Sequence, residues 1–301
     1  MSEWSCGFGA HNLTSRAAKR LWRDYEQRSV ENGTTPSFRV GIAASFTVNT
    51  LVQFFGANLI AEGFAPEFLV GPYNQLFQVC LDPAAAFGGS CDIVVILWRL
   101  EDLMLEEVDP GAEGDEGAIT RAGEKVAWLV ESIRHLRTVF SKTIIVGVPP
   151  FPTGVSTGPL AVDNAQGLGA FHRTMVSKFI DALAAIDGVS LVDLDAVQRA
   201  VGVTASYDSR QWYLYRVPFS DVFLHETGNI LGRIVVASRK AAKKCVVLDC
   251  DNTLWGGIIG EDGIEGIEIG EEFPGSAFRD FQKLLLSWRR KGVLLAIASK
   301  K

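Results

Sequence analysis

The sequence predicts an α/β protein in which a doubly wound parallel sheet is followed by the first part of a second sheet domain. Strand-length apolar segments alternate with helix-length amphipathic segments between residues 38 and 243. Alternation of this kind implies a parallel sheet with helices on both faces. Further along, the apolar run 245–248 ends at two aspartates, Asp249 and Asp251. An apolar run of this kind is typical of a strand that is buried on both faces in a parallel sheet.

The first sheet domain is expected to span residues 37–243, after a peripheral helix and loop in residues 1–36. Apolar runs predict five strands, at residues 38–44, 67–70, 92–97, 143–148 and 189–194. Apolar residues at a spacing of three to four predict the main helices, at residues 48–62, 124–140, 171–186 and 225–243. The N-terminal helix is predicted near residues 13–27.

Residues 244–301 predict a smaller, incomplete domain. Two strands are expected, at residues 245–248 and 293–298, with a helix at residues 276–291 between them. The glycine-rich residues 254–274 are expected to form an irregular flap over a site. A doubly wound domain needs more than two strands to cover its faces. We therefore expect the strand at residues 293–298 to be exposed and to promote association.

Composition excludes several classes of function. The net charge of −6 leaves no electrostatic footprint for nucleic acid. No apolar stretch reaches the roughly 18 residues that span a bilayer, and the first residues lack the basic and apolar regions of a secretory signal. The five cysteines are scattered, odd in number and without a C-x-x-C pair, as in free thiols of a reducing compartment. We expect a cytoplasmic protein with neither nucleic acid nor membrane as partner.

Asp249 and Asp251 are the strongest candidates for chemistry. Ligands of open α/β sheets bind outside the carboxyl ends of the strands, and side chains two residues apart on a strand point the same way. Two carboxylates there suit Mg²⁺ together with a substrate phosphate. One carboxylate can also act as a nucleophile while the other handles a proton. The alternative is a solvated polar turn, since Asp and Asn are common turn residues.

The segment Asp249-Cys250-Asp251-Asn252-Thr253 resembles the first motif of the haloacid dehalogenase superfamily of phosphoryl-transfer enzymes. The longer run through Gly257, and on through residues 258–267, resembles the FkbH-like branch of subfamily IIIC. Members of that branch load a glyceryl unit from 1,3-bisphosphoglycerate, a phosphorylated three-carbon acyl donor, onto an acyl carrier protein in polyketide biosynthesis.

This resemblance implies roles for particular residues. It makes Asp249 the nucleophile and Asp251 the acid/base, with Mg²⁺ held by the Asp249 side chain and the Asp251 backbone carbonyl. Thr253, and Ser299 after the second strand, match the phosphate-binding positions. The family's later motifs have no positions in residues 244–301, so we expect this chain alone to lack most phosphoryl-transfer activity.

Cys250 lies between the two aspartates and is a candidate acyl carrier. A thiolate there is a nucleophile that can form a thioester before transfer to the carrier protein. Alternation along the strand points its side chain away from Asp249 and Asp251, and two neighbouring carboxylates disfavour a thiolate. The alternative is a small, inert core residue.

A second possible site lies in the first domain. Ser45 follows the first strand and His225 precedes the last helix, which resembles the SGNH hydrolases, and FkbH-like proteins commonly carry such an amino-terminal domain. The match departs from the family at Ala-Ala-Ser in place of Gly-Asp-Ser, and at Asp221-x-x-x-His225, which is one residue longer. One extra residue on a helix rotates a side chain by about 100°. The alternatives are a capping role for Ser45 and a structural role for His225.

Asn74, Glu101 and Asp102 are candidates to line a pocket at the same edge of the sheet, and the alternative is that they are solvated loop side chains. Three functions stay open on the sequence. The first is the phosphatase that loads glyceryl onto a carrier, the second an ester hydrolase using Ser45 and His225, and the third a truncated, non-catalytic protein that docks a carrier. An acidic carrier would need a basic patch, and two are candidates, at residues 289–291 and among the basic residues of 233–244. The alternative for each is a solvated helix end that the helix dipole favours.

Overall fold

The computed structural model describes residues 13–32, 36–104, 116–152, 168–240 and 243–299. Its strands are β1 (Phe38–Ala44), β2 (Pro66–Val70), β3 (Ile93–Leu97), β4 (Thr143–Val148), β5 (Val189–Asp193), β6 (Cys245–Leu248) and β7 (Leu294–Ile297). Its helices are α1 (Ser15–Asn32), α2 (Asn49–Ala61), α3 (Leu76–Leu81), α4 (Pro83–Phe87), α5 (Leu100–Met104), α6 (Glu116–Val139), α7 (Leu168–Ala184), α8 (Leu194–Val201), α9 (Val203–Ser206), α10 (Ser209–Tyr215), α11 (Asp221–Arg239), α12 (Ile259–Gly266) and α13 (Gly275–Arg290).

The chain divides into two compact units, residues 1–236 and residues 237–301. The first unit holds a five-stranded sheet in the order β2-β1-β3-β4-β5, and every neighbouring pair of strands is parallel. This confirms the predicted α/β class and its doubly wound parallel sheet. Such an order reverses direction between β1 and β3, which places a crevice at the carboxyl ends of those two strands.

Helices cover both faces of the first sheet. One core includes Phe54 and Phe55 of α2, with Phe223 and Leu231 of α11. The other core, on the opposite face, is built by α3, α6 and α7. All five residues of β3 are buried, because this central strand is covered from both sides.

The N-terminal helix α1 packs against the first core through one face. Ala18 and Trp22 of α1 are buried in the first core. A Cβ atom at Gly56 of α2 would lie only 2.2 Å from the Trp22 ring, so α1 packs closely against α2. The modest apolar stripe of α1 hid this, because one large indole ring buries more surface than the pattern suggests.

The short helices α3, α4, α5, α8, α9 and α10 were missed by sequence patterns, because each is too short to show a helical period. The structure also begins α6 at Glu116 and α11 at Asp221, earlier than expected. Among the described helices, none combines the length and apolar character that crossing a bilayer requires.

The second unit pairs β6 with β7 in parallel, with α13 between them in the chain. The prediction that β6 is buried on both faces was wrong within the described residues. Val246 and Leu248 are half-buried, whereas Val247 is 63% exposed and Leu294 of β7 is 67% exposed. The segment expected to be an irregular flap contains α12, which is kinked at Gly263.

Candidate functional site

Asp249 and Ser299 lie at the same edge of the second sheet. Leu248, the last residue of β6, pairs with Ile297, the last residue of β7. The backbone N–H of Ala298 then donates to the carbonyl of Leu248 at 2.8 Å. Because the two strands are parallel and in this register, their carboxyl ends deliver Asp249 and Ser299 to neighbouring positions. This is the edge where ligands of α/β sheets bind.

The Asp251 carboxylate is held by the segment that follows it. Its Oδ1 accepts a hydrogen bond from the Trp255 indole N–H at 3.1 Å and another from the Ile259 backbone N–H at 3.2 Å. A carboxylate fixed by two donors keeps one orientation, which suits a group that must exchange a proton with a bound substrate. The role of Trp255 was not foreseen, although its place four residues after Asp251 was visible.

Asp249 has a different environment. It is exposed, and its Oδ1 accepts a hydrogen bond from the backbone N–H of Cys250 at 2.8 Å. Among the residues the structure describes, no hydrogen bond reaches its Oδ2. The two aspartates therefore differ in their hydrogen bonding. One has an oxygen open to an incoming group, and the other is oriented by its neighbours.

A tight turn connects these residues to the rest of the unit. Asn252 has a positive φ of 53°, which asparagine tolerates better than most residues. Its side-chain oxygen accepts from the Gly257 N–H at 3.0 Å, and Gly257 itself has a φ of 90°. Gln282 of α13 donates to the Leu254 carbonyl at 2.6 Å. The motif residues between the aspartates and Gly257 thus close one loop that is anchored to α13.

Cys250 and Thr253 contribute backbone bonds to the same loop. The Cys250 carbonyl accepts from the N–H groups of Thr253 and Leu254, at 3.2 and 2.8 Å. Both side chains are half-buried, and the Cys250 thiol is free. Their predicted roles, acyl carrier and phosphate ligand, stay predictions.

The donor set at this edge fits Mg²⁺. Within the described ranges, no group of three His, Cys, Asp or Glu side chains is placed to hold a metal. Mg²⁺ does not need such a cage, because it keeps several waters and binds through one or two carboxylates plus substrate phosphates. The Asp249 side chain and the Asp251 carbonyl are hard oxygen donors of that kind.

The second predicted site is built differently from a hydrolase. Ser45 is fully buried, and its hydroxyl donates to Asp102 Oδ2 at 2.7 Å while accepting from the Arg99 N–H at 3.1 Å. The Arg99 guanidinium also binds Asp102, through Nε to Oδ2 at 2.9 Å and through Nη2 to Oδ1. The side chains of Arg99 and Asp102 are 7% and 0% exposed.

Ser45, Asp221 and His225 are not brought together as a triad. The His225 ring packs edge-on against Phe54, with 5.1 Å between the ring centroids. Its Nε2 is buried and has no hydrogen-bond partner among the residues that the structure describes. Asp221 forms an ion pair with Lys19 of α1 instead. Since the Ser45 hydroxyl is bonded to a carboxylate and not to an imidazole, it lacks the general base of a serine hydrolase. The hydrolase prediction is therefore not supported by this geometry.

A cavity of about 560 Å³ opens beside the Ser45 cluster. Its described lining residues are Tyr73, Asn74, Phe77, Asp102, Leu103, Lys125, Trp128, Trp212 and Arg216. Asn74 has a φ of 54° and donates its backbone N–H to the Ala44 carbonyl at 3.1 Å. Sequence reasoning selected Asn74 and Asp102 but missed Arg99, Trp212 and Arg216. Only Arg99, which closely follows the predicted strand at residues 92–97, offered a signal.

Known proteins resemble this chain in structure, whereas the sequence comparisons find no match. No protein-family model matches the chain, and no curated protein sequence matches it. The N-terminal part of the protein BF1531 from Bacteroides fragilis, described as containing a phosphatase domain complexed with Mg, matches with a TM-score of 0.75 at 21% identity. The match covers 96% of this chain and 74% of that one.

A second solved structure is more distant. It is the salicylyl-acyltransferase SsfX3 from a tetracycline biosynthetic pathway, with a TM-score of 0.42 at 15% identity, covering 69% of this chain and 56% of that one. A likeness so partial carries no argument. The Bacteroides fragilis structure shows that this chain shares its fold, an α/β architecture with a parallel sheet.

Proposed function

We propose that this chain is an FkbH-like, Mg²⁺-dependent phosphatase and acyltransferase of the haloacid dehalogenase superfamily that acts in the cytoplasm. Its substrate is 1,3-bisphosphoglycerate or a related phosphorylated acyl donor, and it loads glyceryl onto an acyl carrier protein for polyketide biosynthesis. The observation that supports this proposal is the pair of aspartates at the carboxyl end of β6. Asp249 is exposed, and the carboxylate of Asp251 accepts a hydrogen bond from Trp255. The fold shared with a phosphatase-domain protein solved with Mg supports the same chemistry.

The two aspartates divide the phosphatase reaction. The donor carries a phosphate ester at carbon 3 and an acyl phosphate at carbon 1. Asp249 attacks the phosphorus of the ester, the bond from phosphorus to the carbon-3 oxygen breaks, and Asp251 gives that oxygen a proton. Water then attacks the aspartyl phosphate while Asp251 takes back a proton, which releases phosphate and restores Asp249. The Asp249 side chain and the Asp251 carbonyl would hold Mg²⁺, which would supply positive charge beside the transferring group.

The acyl group leaves by a separate step. A thiolate attacks the carbonyl carbon of the acyl phosphate, the bond to the phosphate oxygen breaks, and a thioester forms with release of phosphate. The thiol belongs either to the carrier protein or to Cys250, which then passes the acyl group to the carrier thiol by exchange. Loading that survives Cys250→Ala would assign the step to the carrier alone.

The test is the intact mass of an acyl carrier protein after incubation with 1,3-bisphosphoglycerate and Mg²⁺. Because the sequence predicts that later motifs of the family are missing from residues 244–301, the assay compares this chain with a version that carries them. We expect a glyceryl mass on the carrier with the extended version. In that version, Asp249→Asn should abolish Mg²⁺-dependent phosphatase activity, whereas Asp280→Asn on the exposed face of α13 should leave it unchanged. A carrier that gains no mass with either version refutes the proposal.

A further inference from the structure

Two basic segments of the second unit meet at one edge of its sheet. The sequence predicted them as separate patches, at residues 289–291 and among the basic residues of 233–244. β6 and β7 are parallel, so both begin at the same edge, which lies opposite the edge that carries the aspartates. Leu294, the first residue of β7, donates its N–H to the Lys244 carbonyl at 2.8 Å. Lys291 comes shortly before Leu294, within at most about 11 Å of chain, so the two segments lie side by side.

Five cations make up this edge, and we call them the amino-edge patch: Lys243, Lys244, Arg289, Arg290 and Lys291. All five residues are exposed. Within the described part of the chain, none of the five takes part in an ion pair. The two positions before Lys243 that the structure does not describe are alanines, which carry no charge. Neither segment therefore supplies an acid that would cancel the charge of the patch.

The acids of the second unit lie elsewhere. Within residues 243–299, every Asp and Glu falls between positions 249 and 280. The last of them, Asp280, lies about 14 Å before Arg289 along α13 and is paired with Lys283. That distance exceeds the Debye length of about 8 Å at physiological salt. The carbonyl end of α13 contributes only about half a negative charge, so stabilisation of a helix end accounts for a small part of five cations.

Exposed leucines lie among these cations. Leu286 is 47% exposed, and it shares a face of α13 with Arg289 and Arg290, which follow it at helical spacing. Leu294, which is bonded to Lys244, is 67% exposed. An apolar centre with a charged rim is the usual composition of a protein interface, in which the rim selects the partner by its charge. The matching surface is a helix whose carboxylates surround an apolar side chain.

We propose that the amino-edge patch docks the acyl carrier protein through an acidic helix of the carrier. The identity of the partner rests on the proposed function, whereas the docking surface follows from the second unit itself. Because the patch lies opposite the Asp249 edge, the carrier docks without covering that edge. Its thiol arm then runs about 17 Å along β6, from Lys244 to Asp249.

A compact acidic protein fits this patch better than a membrane or a nucleic acid. The net charge of −6 already includes the five cations, so the rest of the chain is more acidic still. An extended polyanion would reach beyond the patch and meet this negative charge, whereas a small protein touches the patch alone.

The test is the binding of a fluorescein-labelled apo acyl carrier protein to the full chain, measured by fluorescence anisotropy at about 150 mM salt. The acyl donor and Mg²⁺ are left out, so docking is measured apart from the chemistry. Two double variants each remove two cations from one segment of the patch: Lys243→Gln/Lys244→Gln and Arg289→Gln/Arg290→Gln. The control Arg279→Gln/Lys283→Gln removes the same charge from two exposed ion pairs earlier in α13. Circular dichroism checks that each variant is folded.

An exposed ion pair contributes up to about fivefold in affinity. Each double variant should therefore weaken carrier binding roughly tenfold, and the two together should weaken it further, because both segments belong to one surface. The control should bind as the wild type does. No saturable binding to the wild type, wild-type affinity in either double variant, or an equal loss in the control would each overturn the proposal. So would tighter binding to anionic lipid vesicles or to a short DNA duplex than to the carrier.

Loading of the carrier by the extended version separates this proposal from the proposed function. If both double variants of that version load the carrier as fast as the wild type does, the docking surface is wrong and the proposed function stands. If the extended wild type loads nothing, the proposed function itself is refuted.

Discussion

Replacing Asp102 by asparagine keeps the shape of a buried side chain and removes its charge. In the native structure the carboxylate accepts three hydrogen bonds, one from Ser45 and two from the guanidinium of Arg99. With asparagine at this position, the Arg99 cation loses the carboxylate that is bonded to it and is left with the longer contact to Glu101 at 4.0 Å. The side chains of Arg99 and residue 102 remain enclosed, at 7% and 0% exposure in the native structure. The substitution therefore measures how strongly the first unit depends on this one ion pair.

Breaking a buried ion pair by removing one partner costs about 3–5 kcal/mol, because the remaining charge is left uncompensated. An exposed pair is worth only about 0–1 kcal/mol. Lys19 and Asp221 form such an exposed pair in the same unit, so Asp221→Asn is the matched control. The double variant Arg99→Met/Asp102→Asn should recover part of the loss, since it no longer buries an unpaired charge.

The assay is urea unfolding of the full chain followed by circular dichroism, compared among wild type, the two single variants and the double variant. We expect the free energy of unfolding to fall by several kcal/mol for Asp102→Asn, by little for Asp221→Asn, and by less in the double variant than in Asp102→Asn. If Asp102→Asn lost no more than Asp221→Asn, the ion pair would not be the structural anchor described above.

Four further outcomes are expected. Ser45→Ala should lower the free energy of unfolding by about 1–3 kcal/mol, because it leaves the Arg99 N–H without its acceptor. A fluorophosphonate should not label Ser45 in the native chain. A labelled Ser45 would contradict its structural role. Burial lowers the pKa of His172, so the unfolded chain takes up a proton that the folded chain refuses. The free energy of unfolding should then fall as the pH drops from about 6.5 to the folded-state pKa of His172, by at most about 1.4 kcal/mol per pH unit. Urea titrations at several pH values should show a flatter slope for His172→Gln. Burial raises the pKa of Cys80 to about 12 and that of Cys91 to about 11. Ellman's reagent should therefore modify the exposed Cys245 in the native chain and reach Cys80 and Cys91 only in urea. Peptide mapping that finds Cys80 modified first would contradict this prediction. Gly228→Ala should destabilise the first unit by about 1–3 kcal/mol, because its Cβ would lie 2.8 Å from the Phe55 nitrogen, whereas Gly89→Ala, with no atom within 4 Å, should not lower its melting temperature.

Local patterns determined the skeleton of the first unit. β1 and β4 begin and end where the apolar runs predicted, because a strand covered on both faces needs a continuous apolar segment. The same reasoning placed Asp249 and Asp251 at a strand end. The sequence was less informative for Trp22, whose burial depends on a close approach to Gly56.

The second unit shows where a local pattern misleads. The run at residues 245–248 is as apolar as a fully buried strand, yet Val247 is exposed in the described structure. The apolar residues of a strand show that it can pack against other apolar elements. Whether a neighbour covers it depends on elements elsewhere in the chain, so no window of residues around β6 reveals it.

The partners of the polar side chains were decided by the tertiary structure alone. Ser45 and His225 looked like halves of one site, but Ser45 is bonded to Asp102 and His225 packs against Phe54. The cavity likewise takes Arg216 from the end of α10 and Asn74 from the segment after β2. Periodicity is a local property that sequence displays directly, whereas a hydrogen bond between residues far apart in the chain is set by how whole helices and strands pack. The sequence therefore determined the strands and the aspartates at their ends, and the packing decided which charges meet.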